Sequence, residues 1–210
     1  YMDYSVWQRD WLQGEVLEKQ LNYWQEQLRE VPRLELPTDY PRPKELSYHG
    51  GFVHRRFSKE LLDQLQALSQ SQGVTLFMSL LASIQSFLSR YCNQTDIAIG
   101  TPIANRRVSE IEGLIGFFVN TLVLRNQLDD NPTFETFIKR VENTTLSAYE
   151  HHDVPFEQLV EYLQVTRELN RNPLFQVLFN LQHEGEKFSL GGLEVFSEET
   201  GEYLSRFDLL

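Results

Sequence analysis

Residues Phe117 to Arg125 read Phe-Phe-Val-Asn-Thr-Leu-Val-Leu-Arg. Aromatic and β-branched residues fill the run, so it reads as a β-strand. Asn120 is the exception, since an amide is unusual in mid-strand. Such an amide is expected to be buried in a satisfied hydrogen-bond network. Upstream, Asp96 to Ile103 reads as a second strand that ends at Pro102 and a polar loop. Downstream, Leu174 to Leu181 is a near-continuous apolar run, as expected of a strand covered on both faces. Phe52 to Phe57 and Leu193 to Phe196 read as shorter strands.

Helices separate these strands. Leu17, Leu21, Trp24 and Leu28 mark one face of a helix over residues 15 to 30. Four prolines (Pro32, Pro37, Pro41 and Pro43) then enforce an extended connection. Ser58 caps a helix that closes at Gly73, with Leu61, Leu62, Leu65 and Leu68 as its stripe. Thr75 caps the next, whose broad face runs from Leu76 and Phe77 through Phe87 and Tyr91. Asn131 and Pro132 predict the N-cap and first position of a helix reaching about Tyr149. Pro155 opens a further helix. Strands alternating with long helices predict an α/β class, a mixed sheet with packed helices.

The chain has 210 residues, 41% hydrophobic and 23% charged, enough for a sizeable core. Its net charge of −11 argues against nucleic acid, which requires a basic face. The single cysteine, Cys92, excludes an internal disulfide and a cysteine-based zinc cluster, and its apolar setting predicts a buried thiol. No apolar stretch approaches the ~20 residues of a membrane span, and no signal peptide opens the chain, so the expected compartment is the cytoplasm. Tyr1 opens inside a dense aromatic pattern and Leu210 closes what reads as the start of a strand, so both ends read as cut.

General catalytic motifs are absent: no Gly-x-Ser-x-Gly elbow, no phosphate-cradling glycine loop, no His-Glu-x-x-His. His151 and His152 are adjacent, and neighbours on a helix point about 100° apart, which suits a structural pair better than a chelate. Five short blocks are more informative. Tyr1-Met2-Asp3-Tyr4-Ser5-Val6-Trp7-Gln8 resembles the Y-x-D-[FY]-x-x-W-Q block of nonribosomal peptide synthetase condensation domains. Gly100-Thr101-Pro102-Ile103-Ala104-Asn105-Arg106 resembles their G-T-P-x-x-x-R stretch. Ile115 to Leu122, followed by Arg125, resembles I-G-x-F-V-N-T. His152-Asp153-Val154-Pro155-Phe156-Glu157 resembles H-x-D-x-P-F-E, and Arg171-Asn172-Pro173-Leu174-Phe175 resembles R-N-P-L-F. All five occur in order across most of the chain.

The resemblance implies a chloramphenicol-acetyltransferase-like lobe, residues 1–210 forming mainly the C-terminal part of a two-lobe domain. It implies peptide bond formation between carrier-tethered thioesters. The implied partners are donor and acceptor peptidyl carrier domains, an adjacent adenylation domain and the missing N-terminal lobe. No cofactor is expected on the chain itself; 4'-phosphopantetheine would arrive on the carriers. The family's H-H-x-x-x-D-G signature is absent. His151-His152 does not replace it, because Phe156 stands where the aspartate is required. The isolated chain is therefore expected to be inactive. By resemblance Arg106 pairs with the aspartate of that absent motif; otherwise it is a surface arginine like Arg107. Asn172 is either an amide near the substrate tunnel or a turn residue before Pro173. Asn120 is the tunnel candidate. The alternatives are a non-catalytic carrier-docking module and an epimerisation-domain relative, although the I-G-F-F-V-N-T form resembles ordinary condensation domains.

Overall fold

A computed structural model describes residues 1–106, 109–166, 168–182, 191 and 203–210. Its described elements are, in order, α1 (Met2–Trp11), α2 (Gly14–Gln27), α3 (Lys59–Ser71), α4 (Leu76–Cys92), β1 (Asp96–Ile103), α5 (Ser109–Glu112), β2 (Asn120–Gln127), α6 (Phe134–Glu150) and α7 (Phe156–Tyr162).

The centre is an antiparallel pair. β1 and β2 run in register from Asp96 opposite Gln127 to Ile103 opposite Asn120. Ile97, Ala98 and Ile99 are buried in succession, as are Leu122, Val123 and Leu124. Consecutive burial means that both faces are covered. α4 and α6 pack against each other and against this pair, while α7 joins β2 to α2. Trp24 of α2 and Phe137 and Ile138 of α6 are almost completely buried.

The apolar run at 174–181 joins the sheet over a short length. Val177 and Leu178 form parallel bridges to Leu209 and Gly100. The Gly100 amide donates to the Val177 carbonyl at 2.9 Å, and the Phe179 amide donates to the Gly100 carbonyl at 2.8 Å. Residues 174–177 are buried in succession, whereas Asn180 and Leu181 are exposed. Leu174 has a positive φ of 68°, which keeps the regular strand from starting there.

The cap readings at Ser58 and Thr75 hold: each side-chain oxygen accepts an amide three residues on, from Leu61 and Met78. Gly73 takes the positive φ expected after the helix end. Other boundaries differ. Thr133 caps α6, its hydroxyl accepting the Thr136 amide, and Asn131 instead turns the chain at a positive φ of 47°. Pro155 is the N-cap of α7, one position earlier than its ring geometry alone predicted. β2 starts at Asn120, because Phe117 to Val119 precede the paired register.

Phe52 to Phe57 is not a strand. It is exposed, and the nearest pairing is an isolated bridge between His49 and Leu204. Among the described residues no strand lies beside it, so its β-propensity finds no ladder to complete there. Phe87 and Tyr91 also leave the predicted buried face of α4. At about 100° per residue they rotate away from the stripe of Leu81, Gln85 and Leu88, and they stack on each other in solvent. Of the predicted α3 stripe, Leu61, Leu62 and Leu68 are exposed. Cys92 is half-buried, and burial pushes its thiol pKa up. The run at Leu193 to Phe196 lies outside the described residues. Among the described residues no single helix is long and apolar enough to cross a membrane.

Candidate functional site

The short blocks, spread over about the whole sequence, meet in space. Tyr1, the N-cap of α1, and Tyr4, Trp7 and Trp11 within it recur at near-helical spacing. Tyr1 and Tyr4 pack on the buried Phe118 ring, with centroids 5.2 and 4.8 Å away. The Tyr1 hydroxyl donates to the Phe117 carbonyl at 2.9 Å. Gly116 lies beneath: a Cβ there would fall 2.3 Å from the Tyr1 ring, so only hydrogen fits. The first and third blocks thus lock together.

Arg106 joins them from the end of β1. Its guanidinium carbon lies 4.2 Å from the Phe118 ring centroid, a cation–π contact. Its Nη1 donates to the carbonyls of Glu112 at 3.0 Å and Leu114 at 2.9 Å, and also to that of Ile111. One side chain thereby gathers the carbonyls at the end of the short α5 and fixes the loop leading to β2.

Asn120 is buried, and four hydrogen bonds occupy its amide. Nδ2 donates to the carbonyls of His152 and Val154, each at 2.8 Å. Oδ1 accepts from the amides of Thr121 at 2.8 Å and Phe156 at 3.0 Å. An asparagine has two donors and two acceptor lone pairs, so this set exhausts it. The amide stitches the start of β2 to the His152–Phe156 block.

α2 holds that block from the other side. Gln20 Nε2 donates to Asp153 Oδ2 at 2.6 Å, and Gln20 Oε1 accepts the Asp153 amide at 3.2 Å. Trp24 Nε1 donates to the His151 carbonyl at 2.6 Å, and Tyr23 stacks on the His151 ring at 4.1 Å. Burial and the nearby Glu150 charge push the Tyr23 pKa up to about 12. His151 and His152 direct their Nδ1 atoms at backbone carbonyls of Ser147 and Tyr149, so each ring is oriented by its own helix end.

The last block reaches the same region through Phe175, which packs on Phe156 at 5.6 Å and covers Gly100. Asn172 lies apart. Its Nδ2 donates to the Arg206 carbonyl. It lines a cleft of about 180 Å³ with Arg33, Glu168 and Arg171. Arg171 pairs with Glu35 through its two terminal guanidinium nitrogens, at 2.6 and 2.8 Å, which holds the Glu35 carboxyl below its usual pKa. Arg106 and Asn120 therefore share one connected network, while Asn172 sits in a different cleft.

Beside the network is a cavity of about 680 Å³, lined by α1 aromatics and by Ile111, Leu114 and Asp153 among others. That size suits a small molecule. Reading the sequence missed α1 as a helix, although the positions 1, 4, 7 and 11 carry the helical period. It also missed Gln20 and Trp24 as partners of the histidine block, because no local pattern links residues more than a hundred positions apart.

The Condensation domain family model matches residues 1–209. The chain belongs to the condensation-domain family. A linear gramicidin synthase of Brevibacillus parabrevis is 49% identical over 213 residues, covering 100% of this chain and 4% of that protein. The chain thus spans a small part of the curated relatives it matches. Among solved structures, a complex of the X-domain and OxyB from teicoplanin biosynthesis matches with a TM-score of 0.87 and 30% identity, covering 98% of this chain and 46% of that one. The condensation domain from the Monacolin K polyketide synthase MokA shares the fold at 21% identity, with a TM-score of 0.75 and coverage of 85% and 44%. The mixed α/β fold with packed helices expected from the sequence is the one found, and solved condensation domains share it.

Proposed function

We propose that residues 1–210 form mainly the C-terminal lobe of a condensation domain that joins two carrier-tethered aminoacyl or peptidyl thioesters through a peptide bond. The observation that carries this reading is the convergence of the five blocks on one contact network, built around Phe118, Asn120 and Phe175. In such a reaction an amine attacks a thioester carbonyl, an oxyanion forms and a thiol leaves. The enzyme's tasks are to align both pantetheine arms and to stabilise the developing charge.

This chain's residues supply the frame. Arg106 is a positioning residue that braces the loop before β2 and pairs with the aspartate of an H-H-x-x-x-D-G motif located before Tyr1. Asn120 fixes the His152–Phe156 segment. Asn172 holds the chain near Arg206 at the edge of the second cleft. The histidine that would act on the amine is supplied outside these 210 residues, so the chain alone forms no amide. Phosphopantetheine arrives on the donor and acceptor carriers, and an adenylation domain loads them. The proposed compartment is the cytoplasm.

The test is amide formation by the polypeptide extended upstream of Tyr1, with one carrier loaded as donor and one as acceptor, followed by mass spectrometry. An amide-linked product supports the proposal. Carrier binding without product, with a disrupted histidine motif upstream, favours a docking module. An inverted donor stereocentre without an amide favours an epimerisation relative.

A further inference from the structure

The cavity along α1 has a composition that the acyl-transfer reading does not use. Trp7 and Trp11 stack at 5.5 Å with planes 12° apart, and Tyr4 lies 5.7 Å from Trp7. Trp7 is 51% exposed and Trp11 36%. Asp3, Glu110 and Asp153 line the same space, and among the described residues its lining contains no lysine or arginine. We propose that the Trp7–Trp11 end of this cavity binds the ammonium group of a small organic cation.

The chemistry selects the ligand class. Aromatic faces attract a cation through their quadrupoles, tryptophan most strongly. A purely apolar ligand would have to desolvate the carboxylates without return, and an anion would meet their repulsion. Asp153 already accepts a hydrogen bond from Gln20, so it contributes its charge, while the other two lining carboxylates, Asp3 and Glu110, are exposed. The guanidinium of Arg106 sits over Phe118 with its Nη1 on the carbonyls of two lining residues, Ile111 and Leu114, and so marks the Tyr1 end of the cavity; Trp11 is ten residues beyond Tyr1, about 15 Å at the helical rise. The site stands on this geometry alone and does not depend on amide formation.

The probe is choline, compared with its neutral isostere 3,3-dimethylbutan-1-ol. Indole resonances of the 15N-labelled chain are followed by NMR, with Trp7→Phe and Trp11→Phe variants assigning them. Trp24, buried and bonded to the His151 carbonyl, is the internal control for an intact fold. Choline is expected to shift the Trp7 and Trp11 signals saturably while Trp24 stays fixed, with the isostere at least about tenfold weaker. The exposed double variant Asp3→Asn/Glu110→Gln is expected to weaken choline about threefold or more and leave the isostere unchanged. Equal affinity for both probes, no shift at Trp7 and Trp11, or indifference to the double variant overturns the proposal.

Discussion

Gly100→Ala places a methyl group inside an aromatic ring. An ideal Cβ would lie 2.2 Å from Cε2, 2.3 Å from Cζ and 2.7 Å from Cδ2 of Phe175. Ordinary carbon contacts are about 3.5–4.0 Å, so one group must retreat by more than about 1 Å. The ring has little room: Phe175 is 2% exposed, with Phe156 at 5.6 Å and Phe207 at 5.5 Å. The glycine backbone is pinned by its bonds to Val177 and Phe179 and by its register opposite Val123. Overpacking a core costs about 1–3 kcal/mol, and this site belongs at the upper end. For a chain of this length about 3 kcal/mol lowers Tm by about 6–12 °C. Phe175→Ala alone should cost about 3–5 kcal/mol. The double variant should cost little more than Phe175→Ala, because the new methyl enters the vacated space, giving a coupling of about 2–3 kcal/mol. Urea unfolding followed by tryptophan fluorescence measures all four proteins. A Gly100→Ala variant within about 0.5 kcal/mol of wild type, or additive single effects, would show that the Phe175 ring does not close over this glycine as described.

Further expectations rest on other contacts. Asn120→Asp keeps the shape but turns a carboxylate oxygen toward two carbonyls, and urea unfolding should register a loss of at least about 2 kcal/mol. Arg125 holds Asp96 through two nitrogens, at 2.8 and 2.6 Å, and the carbonyls of Gln27 and Arg29 through a third. Arg125→Lys, lacking that fork, should lose about 1–3 kcal/mol in the same assay. Tyr23 has its pKa raised to about 12 from an ordinary 10.0, first by burial and then by Glu150, so the folded state favours its neutral form. That contribution is complete below pH about 10 and is lost as pH climbs toward about 12; Tyr23→Phe should show a shallower decline in unfolding free energy across that window. Ser58→Ala removes the cap on Leu61 and should cost about 1 kcal/mol, read from the unfolding midpoint.

The sequence was legible where the physics is local. Ser58 and Thr75 announce helix starts by their hydroxyls, and the β1 and β2 runs announce buried strands by their apolar composition. It failed where a partner decides. Phe52 to Phe57 has strand-forming residues and, among the described residues, no strand beside it. Asn131-Pro132 has the chemistry of a helix start, yet Asn131 is used for a left-handed turn and Thr133 takes the cap. The site shows the same division. The blocks could be read one by one, and Asn120 stood out as an amide in a strand. That three of its four bonds tie β2 to a segment more than thirty residues away could not be read from either stretch. Nor could the roles of Gln20 and Trp24, which depend on α2 meeting the end of α6.

If these 210 residues frame a condensation reaction whose histidine lies outside them, the difference must appear on the acceptor carrier. Its intact mass is measured after incubation with loaded donor and acceptor, using the 210-residue chain and the upstream-extended polypeptide in parallel. The expected result is the mass of an amide-linked product on the acceptor carrier with the extended polypeptide, and none with the chain alone. Turnover by the 210-residue chain, or a silent extended polypeptide carrying an intact H-H-x-x-x-D-G, would show that the proposed division of labour is wrong.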